Sequence, residues 1–285
     1  TPIVSLWSES RKGNAMALDI RPITATLGAE VRGVDMARVD DGTRDELRKA
    51  WLDHKVLVLR DQHITTEEHI AFGRLFGDLE VHPFTDDDGE HPEIVVLHAD
   101  GERRFVASGW HSDVTWREEP SMGSILRGVI IPPAGGDTCF ADATAAYDRL
   151  SDGWKDRLDG LVAVHDYLRV FGRRIPEGEE EAMRETYPLA HHPVIRTHPE
   201  TGAKAIYTNI GFTSHIEGVA PEESEEILAR LRLAIMDPSV QCRIRWEVDT
   251  FVMWDNRSTQ HCATDDFLPN ERRMERVTVV GDRPF

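Results

Sequence analysis

The chain of 285 residues is poor in cysteine, in positive charge and in long apolar runs. Its three cysteines, Cys139, Cys242 and Cys262, are far apart and odd in number, so neither a disulfide framework nor a structural zinc cluster is expected. This cysteine usage predicts a reducing, cytoplasmic setting. No apolar run approaches the roughly 18 residues that a membrane-spanning helix needs, so no membrane span is expected.

Basic residues are fewer than acidic residues in this chain. Lysine and arginine together number 33 and aspartate and glutamate 51, which gives a net charge of −18 at pH 7. Nucleic acids and anionic membranes both require a cationic face, so neither is an expected partner. The local field in a cleft decides what a small ligand meets, and the net charge therefore leaves small anions open as ligands.

The length suits one large domain, because single hydrophobic cores stop growing at about 250–300 residues. Residues 1–16 lack an apolar core of signal-peptide length, and we expect them to form an N-terminal extension. Residues 17–285 are predicted to form a single domain.

Short helices and strands alternate in the sequence without a repeating period, which disfavours a solenoid and a doubly wound array. Helices are predicted over residues 43–54, from the Thr65 and Glu68 capping box to Gly77, and from Pro221 to Asp237. Strands are predicted over residues 55–60, 241–246, 250–254 and 275–280, which are apolar or β-branched. The charged stretch 173–190 is predicted to be a loop. These patterns indicate a β-rich core with flanking helices.

Residues 109–116 read G-W-H-S-D-V-T-W. Residues i and i+2 of a strand point to the same side, so a strand here offers the His111 imidazole and the Asp113 carboxylate to one point in space. Taken alone the pair is a weak signal, because it arises often by chance. A surface strand with a hydrogen-bonded histidine is the ordinary alternative.

Three further motifs accompany this segment: G-G-D-T at 135–138, W-D-N-R-S-T-Q-H at 254–261 and R-V-T-V-V-G-D-R-P-F at 276–285. In this order and at these separations, the four motifs closely resemble the taurine dioxygenase family of Fe(II)- and 2-oxoglutarate-dependent oxygenases, from about Leu18 to Phe285. The resemblance implies a β-rich α+β fold, a double-stranded β-helix (jelly-roll) with flanking helices. It also implies Fe(II), 2-oxoglutarate and O2 as cofactor and cosubstrates, and assembly as a homodimer or homotetramer.

By this resemblance, His111, Asp113 and His261 are the metal ligands. Two histidines and one carboxylate on one face of an ion form the facial triad of non-heme iron(II) oxygenases. A zinc hydrolase uses similar ligands with a water in the remaining position, and it is the main alternative for these three residues.

Arg272 and Arg276 stand where the chain enters a β-branched run. In a strand their side chains share a face but lie about 13 Å apart, which is too far to clamp one carboxylate and indicates two anion sites. A helix would bring them to about 6 Å, but the β-branched run disfavours it. By resemblance, Arg272 and Thr138 bind the distal carboxylate of 2-oxoglutarate, and Arg276 matches the residue that binds the sulfonate of taurine.

The resemblance assigns three more residues to the substrate. His82 matches a histidine that contacts the substrate's anionic group, and Phe171 and Phe212 match aromatic residues of the pocket. The sequence departs from taurine dioxygenase at Thr85, where a tyrosine is expected, and at Val170, which replaces a small polar residue. Both changes make the pocket more apolar, so a substrate bulkier or more apolar than taurine is expected.

The activity implied is hydroxylation of a small anionic substrate next to a heteroatom. A sulfonate or alkyl sulfate is the first candidate, with release of sulfite or sulfate plus an aldehyde. Ether cleavage of an aryloxyalkanoate (phenoxy acid) comes second, and hydroxylation of an amino acid or biosynthetic intermediate third. A non-catalytic binding module on the same fold is the alternative from another class, but it would not need the triad, Thr138 and both arginines.

Overall fold

The computed structural model describes residues 18–81, 90–102, 107–176 and 178–285. The predicted extension 1–16 and His82 lie outside these residues. The strands are β1 (Asp19–Pro22), β2 (Ala29–Arg32), β3 (Val56–Leu59), β4 (Val95–Ala99), β5 (Gly123–Ile130), β6 (Thr138–Asp142), β7 (Val162–His165), β8 (Ala190–Pro193), β9 (Ile195–Thr197), β10 (Lys204–Ile206), β11 (Thr213–Ile216), β12 (Gln241–Ile244), β13 (Phe251–Asp255), β14 (Thr259–Ala263) and β15 (Arg272–Val279). The helices are α1 (Asp41–His54), α2 (Thr66–Arg74), α3 (Ala143–Asp148), α4 (Asp152–Leu158), α5 (Leu168–Phe171), α6 (Glu180–Thr186) and α7 (Pro221–Ile235), with short 3₁₀ turns at Met36–Arg38, Gly172–Arg174 and Pro238–Val240.

Two sheets form the centre of the fold. The larger sheet has the strand order β1-β2-β3-β13-β5-β15-β4, and its described pairs are antiparallel apart from the parallel pair β2 and β3. The smaller sheet has the order β12-β6-β14 and is antiparallel. Two outer groups, β11-β7-β8 and β10-β9, complete the described strands.

The larger sheet is covered on both faces, and β3 shows why its sequence is apolar throughout. Leu57 and Leu59 pack in the cluster beneath α1 and α2, whereas Val56 and Val58 pack against the smaller sheet. Alternate side chains of a strand point to opposite faces, so burial on both sides requires a continuous apolar run. On the second face, Phe140 of β6 shares the cluster between the sheets.

The local sequence signals located the three predicted helices. Helix α1 ends at His54 as predicted, and α7 begins at Pro221. In α2 the Thr65 hydroxyl accepts from the backbone of Glu68, and the Glu68 carboxylate accepts from the backbone of Thr65, which forms the predicted capping box. The helix ends at Arg74, earlier than the predicted stop at Gly77.

The prediction of a loop over residues 173–190 was wrong in part. Helix α6 lies within it, followed by the start of β8. The helix has no side-chain cap, and its exposed side is highly charged, so the local sequence gives little helical signal. Met183 and Tyr187 pack against the aromatic cluster of Trp116 and Tyr167, and this tertiary packing stabilises the segment.

The two central sheets carry four of the predicted site residues. β14 of the smaller sheet holds His261, β6 holds Thr138, and β15 of the larger sheet holds both Arg272 and Arg276.

No helix in the described part of the chain has the length and apolar character to cross a membrane.

Candidate metal centre

His111 and His261 are brought together by backbone pairing. They form an isolated antiparallel bridge in which each N–H donates to the other's carbonyl, at 3.0 and 2.8 Å. Their rings lie 4.2 Å apart between centroids. Nδ1 of His111 lies 2.7 Å from the Gly109 carbonyl oxygen and is therefore the donor, which leaves Nε2 with a lone pair for a metal.

The Asp113 carboxylate completes the triad. Its Oδ1 lies 3.8 Å from Nε2 of His111 and 3.8 Å from Nε2 of His261. Two atoms that bind one ion at about 2.1 Å lie at most about 4.2 Å apart, so these spacings suit a shared metal. Among the described residues, this is the one group of three histidine, cysteine or acidic side chains close enough to hold an ion.

The protonation states also suit a metal. Burial lowers the pKa of His261 to about 3, so its imidazole is neutral at pH 7 and carries a lone pair. Burial raises the pKa of Asp113, but Arg276, the two histidines and the hydrogen bond from Ser124 together outweigh burial, and the pKa lies below its ordinary range. The donor set therefore includes a neutral imidazole at His261 and an ionised carboxylate at Asp113.

The segment that carries His111 and Asp113 is not the strand that we predicted. His111 lies on the isolated bridge, and the chain enters a turn at Asp113. The next residue, Val114, has a φ of 48° in the left-handed region, which no strand residue adopts. The two side chains converge because of this turn rather than through the i, i+2 alternation of a strand.

Arg272 and Thr138 meet around Trp246. The Arg272 guanidinium carbon lies 6.0 Å from the Trp246 ring centroid, and the indole N–H of Trp246 donates to Thr138 Oγ1 at 3.0 Å. Because Thr138 Oγ1 accepts this bond, its own hydrogen is left to donate to a ligand. Two glycines at positive φ precede the threonine, and a Cβ on Gly136 would lie 3.1 Å from Arg272 Cδ.

Arg272 is a buried cation that forms no ion pair with the described residues. Its side chain donates from Nε to the Gly136 carbonyl at 3.1 Å, and no carboxylate pairs with it among the described residues. Burial lowers its pKa to about 10, so it is still charged at pH 7. A buried charge is costly unless it is paired, and an anionic ligand would supply the missing partner.

Arg276 shares the face of β15 with Arg272, because both lie in one strand, as predicted. Its Nη1 donates to Oδ1 of Asp113 at 3.0 Å, and its buried Nε has no partner among the described residues. Arg276 thus contacts the candidate metal ligand directly, a contact that the sequence did not indicate. The orphaned Nε keeps one donor for another group.

Phe171 and Phe212 lie in one aromatic cluster with Val114, Trp116 and Tyr167. Their ring centroids are 6.3 Å apart. An added Cβ on Gly211 would lie 3.4 Å from Asn209 Oδ1, 3.5 Å from His111 Cβ and 3.7 Å from Val170 Cγ2. Val170 therefore lies on the same side of the site as His111, together with the polar amide of Asn209.

Two residues of the site were missed by sequence reasoning. Ser124 on β5 donates to Oδ2 of Asp113 at 2.9 Å, so the two carboxylate oxygens have different partners. Glu80 is buried, accepts from Arg117 at 2.5 Å and has its pKa raised by burial. Ser124 and Glu80 lie in unrelated motifs, and only the pairing of β15 with β5 and with Leu79 places them beside Arg276.

Comparisons with known proteins agree with this geometry. A sequence profile described as "Taurine catabolism dioxygenase TauD, TfdA family" matches residues 19–278. An alpha-ketoglutarate-dependent sulfate ester dioxygenase of Pseudomonas putida is 34% identical over 95% of this chain and 92% of its own length. An (S)-phenoxypropionate/alpha-ketoglutarate-dioxygenase of Sphingobium herbicidovorans is also 34% identical, over 93% of this chain and 96% of its own.

Solved structures give the same result. The crystal structure of a putative alpha-ketoglutarate-dependent taurine dioxygenase from Burkholderia xenovorans superimposes with a TM-score of 0.82 at 36% identity, and the match covers 94% of each chain. The alpha-ketoglutarate in these names is 2-oxoglutarate.

Proposed function

This chain belongs to the taurine catabolism dioxygenase TauD, TfdA family and is an Fe(II)- and 2-oxoglutarate-dependent dioxygenase, and we propose that it hydroxylates a small anionic organic substrate next to a heteroatom. The substrate class that we place first is a sulfonate or an alkyl sulfate. Hydroxylation of the carbon that bears the sulfur or ester oxygen gives an unstable adduct, which collapses to an aldehyde plus sulfite or sulfate.

His111, Asp113 and His261 would hold the iron. When bound, Fe(II) with 2-oxoglutarate and O2 supplies the oxidation, in which one oxygen atom enters succinate, the other hydroxylates the substrate, and CO2 is released. The protein supplies two imidazoles and one oriented carboxylate. Ser124 and Arg276 support this role, since each fixes one oxygen of Asp113.

Arg272 and Thr138 would bind the distal carboxylate of 2-oxoglutarate. The observation that carries this assignment is the buried Arg272 guanidinium, which forms no ion pair with a carboxylate in the described part of the chain. Its planar fork suits two parallel hydrogen bonds to a carboxylate. The unused hydrogen of the Thr138 hydroxyl provides a third donor nearby.

Arg276 and His82 would bind the anionic end of the substrate. The orphaned Nε of Arg276 supports this role, because a buried guanidinium donor without a partner favours an acceptor such as a sulfonate or sulfate oxygen. With the iron bound, the cationic groups at the site outnumber Asp113 and Glu80, so an anion is favoured despite the acidic surface of the protein.

The aromatic cluster beside the site favours a second candidate. Phe171, Phe212 and Val170 would contact the substrate's remainder, and their aromatic and branched surfaces suit an aryl group. A phenoxy acid, cleaved at its ether bond after hydroxylation, is therefore the second candidate substrate. Its carboxylate would take the place of the sulfate on Arg276.

The fold, the compartment and the assembly complete the proposal. The larger and smaller sheets pack face to face with the site between their strands, and we interpret them as a double-stranded β-helix (jelly-roll) within one domain of residues 17–285. The three free thiols favour the cytoplasm. A homodimer or homotetramer is the assembly that we propose, to be measured by light scattering.

The test is oxygen uptake with Fe(II), ascorbate and 2-oxoglutarate across alkyl sulfates of increasing chain length, alkyl sulfonates and phenoxy acids. We expect uptake that depends on an anionic substrate, with sulfate or sulfite released in equal amount to succinate. Phenol release from phenoxy acids alone would replace the first candidate with the second. If protein that binds iron shows oxygen uptake with none of the anions in the panel, the substrate proposal is contradicted.

A further inference from the structure

The turn that presents Asp113 is strained. Val114 has a φ of 48°, and a β-branched side chain makes that conformation costly. The Val114 side chain is buried in the aromatic cluster with Trp116 and Phe212, so the residue has no freedom to relax alone. Such a conformation persists only where surrounding contacts hold it.

The Asn256 side chain supplies those contacts. Its Oδ1 accepts from the backbone N–H of Asp113 at 2.6 Å, and its Nδ2 donates to the backbone carbonyl of the same residue at 3.0 Å. A second Nδ2 hydrogen reaches the Ser121 carbonyl at 3.0 Å, and the whole side chain is buried. Of the short side chains, only an amide combines an acceptor with two donors.

Asn256 also links the two parts of the chain that carry the candidate ligands. It lies between β13 and β14, five residues before His261, and its bonds reach Asp113, 143 residues away. The amide therefore sets the position of the Asp113 backbone relative to the strand that holds His261. The side-chain bonds of Ser124 and Arg276 then orient a carboxylate whose backbone is already fixed.

We propose that Asn256 is a positioning residue, which holds the strained Asp113–Val114 turn so that the Asp113 carboxylate meets the metal together with both histidines. The proposal deepens the proposed function and rests on it. A positioning role predicts that loss of Asn256 weakens metal binding by protein that is still folded. A purely structural role predicts a loss of fold stability alone.

The experiment measures Mn(II) affinity by the loss of the free-ion electron paramagnetic resonance signal, and the melting temperature, in a set of variants. Asn256→Ala is expected to weaken Mn(II) binding by about 10- to 100-fold in protein that is still folded, as loss of a group that orients a metal ligand does. Asn270→Ala is the matched control, since Asn270 is exposed and its side chain bonds only the Phe267 carbonyl among the described residues, and its Mn(II) affinity should equal that of the wild type.

A double-variant comparison isolates the strain. Val114→Gly removes the cost of the left-handed conformation, whereas Val114→Ala removes a similar part of the packing but keeps that cost. Combined with Asn256→Ala, the glycine variant should recover at least several-fold in Mn(II) affinity and the alanine variant should recover none. If Asn256→Ala does not accumulate as folded protein, Asn256→Ser takes its place in the same set.

Wild-type Mn(II) affinity in folded Asn256→Ala, or equal recovery by glycine and alanine at position 114, would overturn the proposal. Asp113→Ala separates this outcome from failure of the metal centre itself. If the wild type binds Mn(II) no better than Asp113→Ala, then the proposed metal site is wrong, and the role of Asn256 is rejected with it.

Discussion

Replacing Arg272 by methionine should stabilise the protein without ligands and nearly abolish its response to 2-oxoglutarate. Burial lowers the pKa of Arg272 from its ordinary value of 12.5 to about 10, and a difference of that size corresponds to about 3 kcal/mol of unfavourable free energy for the charged form. Methionine removes this cost but also loses the hydrogen bond to Gly136 and the contact with the Trp246 face. These losses offset about 1–2 kcal/mol.

The net gain of about 1–2 kcal/mol should raise the melting temperature of the ligand-free protein by about 2–6 °C. The response to ligand changes in the opposite direction. With Mn(II) present and 2-oxoglutarate at about 100 times its Kd, the wild type should gain about 2.7 kcal/mol, or about 5–10 °C. Two charge-assisted hydrogen bonds are missing in the variant, so its Kd should rise by about 100-fold or more, and the stabilisation by 2-oxoglutarate should fall to about 0.4 kcal/mol or less, about 1 °C.

The assay is thermal unfolding of each protein with Mn(II), with and without 2-oxoglutarate. Arg273→Met is the matched control, because Arg273 is the next residue of β15, points to the other face and pairs with Glu275. It should keep the full ligand shift. A lower melting temperature of ligand-free Arg272→Met than of the wild type, or an unchanged shift with 2-oxoglutarate, would refute the account of Arg272 as a buried cation awaiting this anion.

Two further predictions concern the second arginine and a buried histidine. In steady-state kinetics, Arg276→Ala should raise KM for an anionic substrate by at least tenfold more than it raises KM for 2-oxoglutarate. Arg272→Ala should do the reverse. If each variant raises the two KM values equally, the two anion sites are rejected. Burial lowers the pKa of His69 to about 3, against 6.5 when unfolded, so protons bind the unfolded state preferentially and stability is lost as the pH falls below 6.5. Between pH 7 and pH 5 this effect lowers the free energy of unfolding of the wild type by about 2 kcal/mol. Urea unfolding of His69→Gln should therefore show a decrease that is smaller than that of the wild type by about 2 kcal/mol. An identical decrease in both proteins would contradict the assignment.

Local sequence signals identified the elements whose stability is local. The Thr65 and Glu68 capping box and the apolar run of β3 were recognisable, because capping and two-sided burial leave a pattern within a few residues. Helix α6 was missed, since Met183 and Tyr187 stabilise it through an aromatic cluster formed by distant residues.

At the site, too, the sequence predicted what local motifs record and missed what depends on distant residues. Motifs and their resemblance predicted His111, Asp113 and His261 as a set, and the structure brings the three together. The turn at Val114 was predicted as a strand, because its left-handed conformation depends on Asn256, which lies 143 residues from Asp113. The contact between Arg276 and Asp113 likewise spans 163 residues, and no local pattern records it.

The central claim is that His111, Asp113 and His261 hold the iron of a 2-oxoglutarate-dependent dioxygenase. The most direct measurement is succinate formation, with Fe(II), 2-oxoglutarate and O2, by the wild type and by His261→Ala in the presence of an accepted substrate. The wild type should form succinate in step with substrate consumption, and His261→Ala should form none above the rate without enzyme. Substrate-linked succinate formation by His261→Ala at a rate near that of the wild type would contradict the claim.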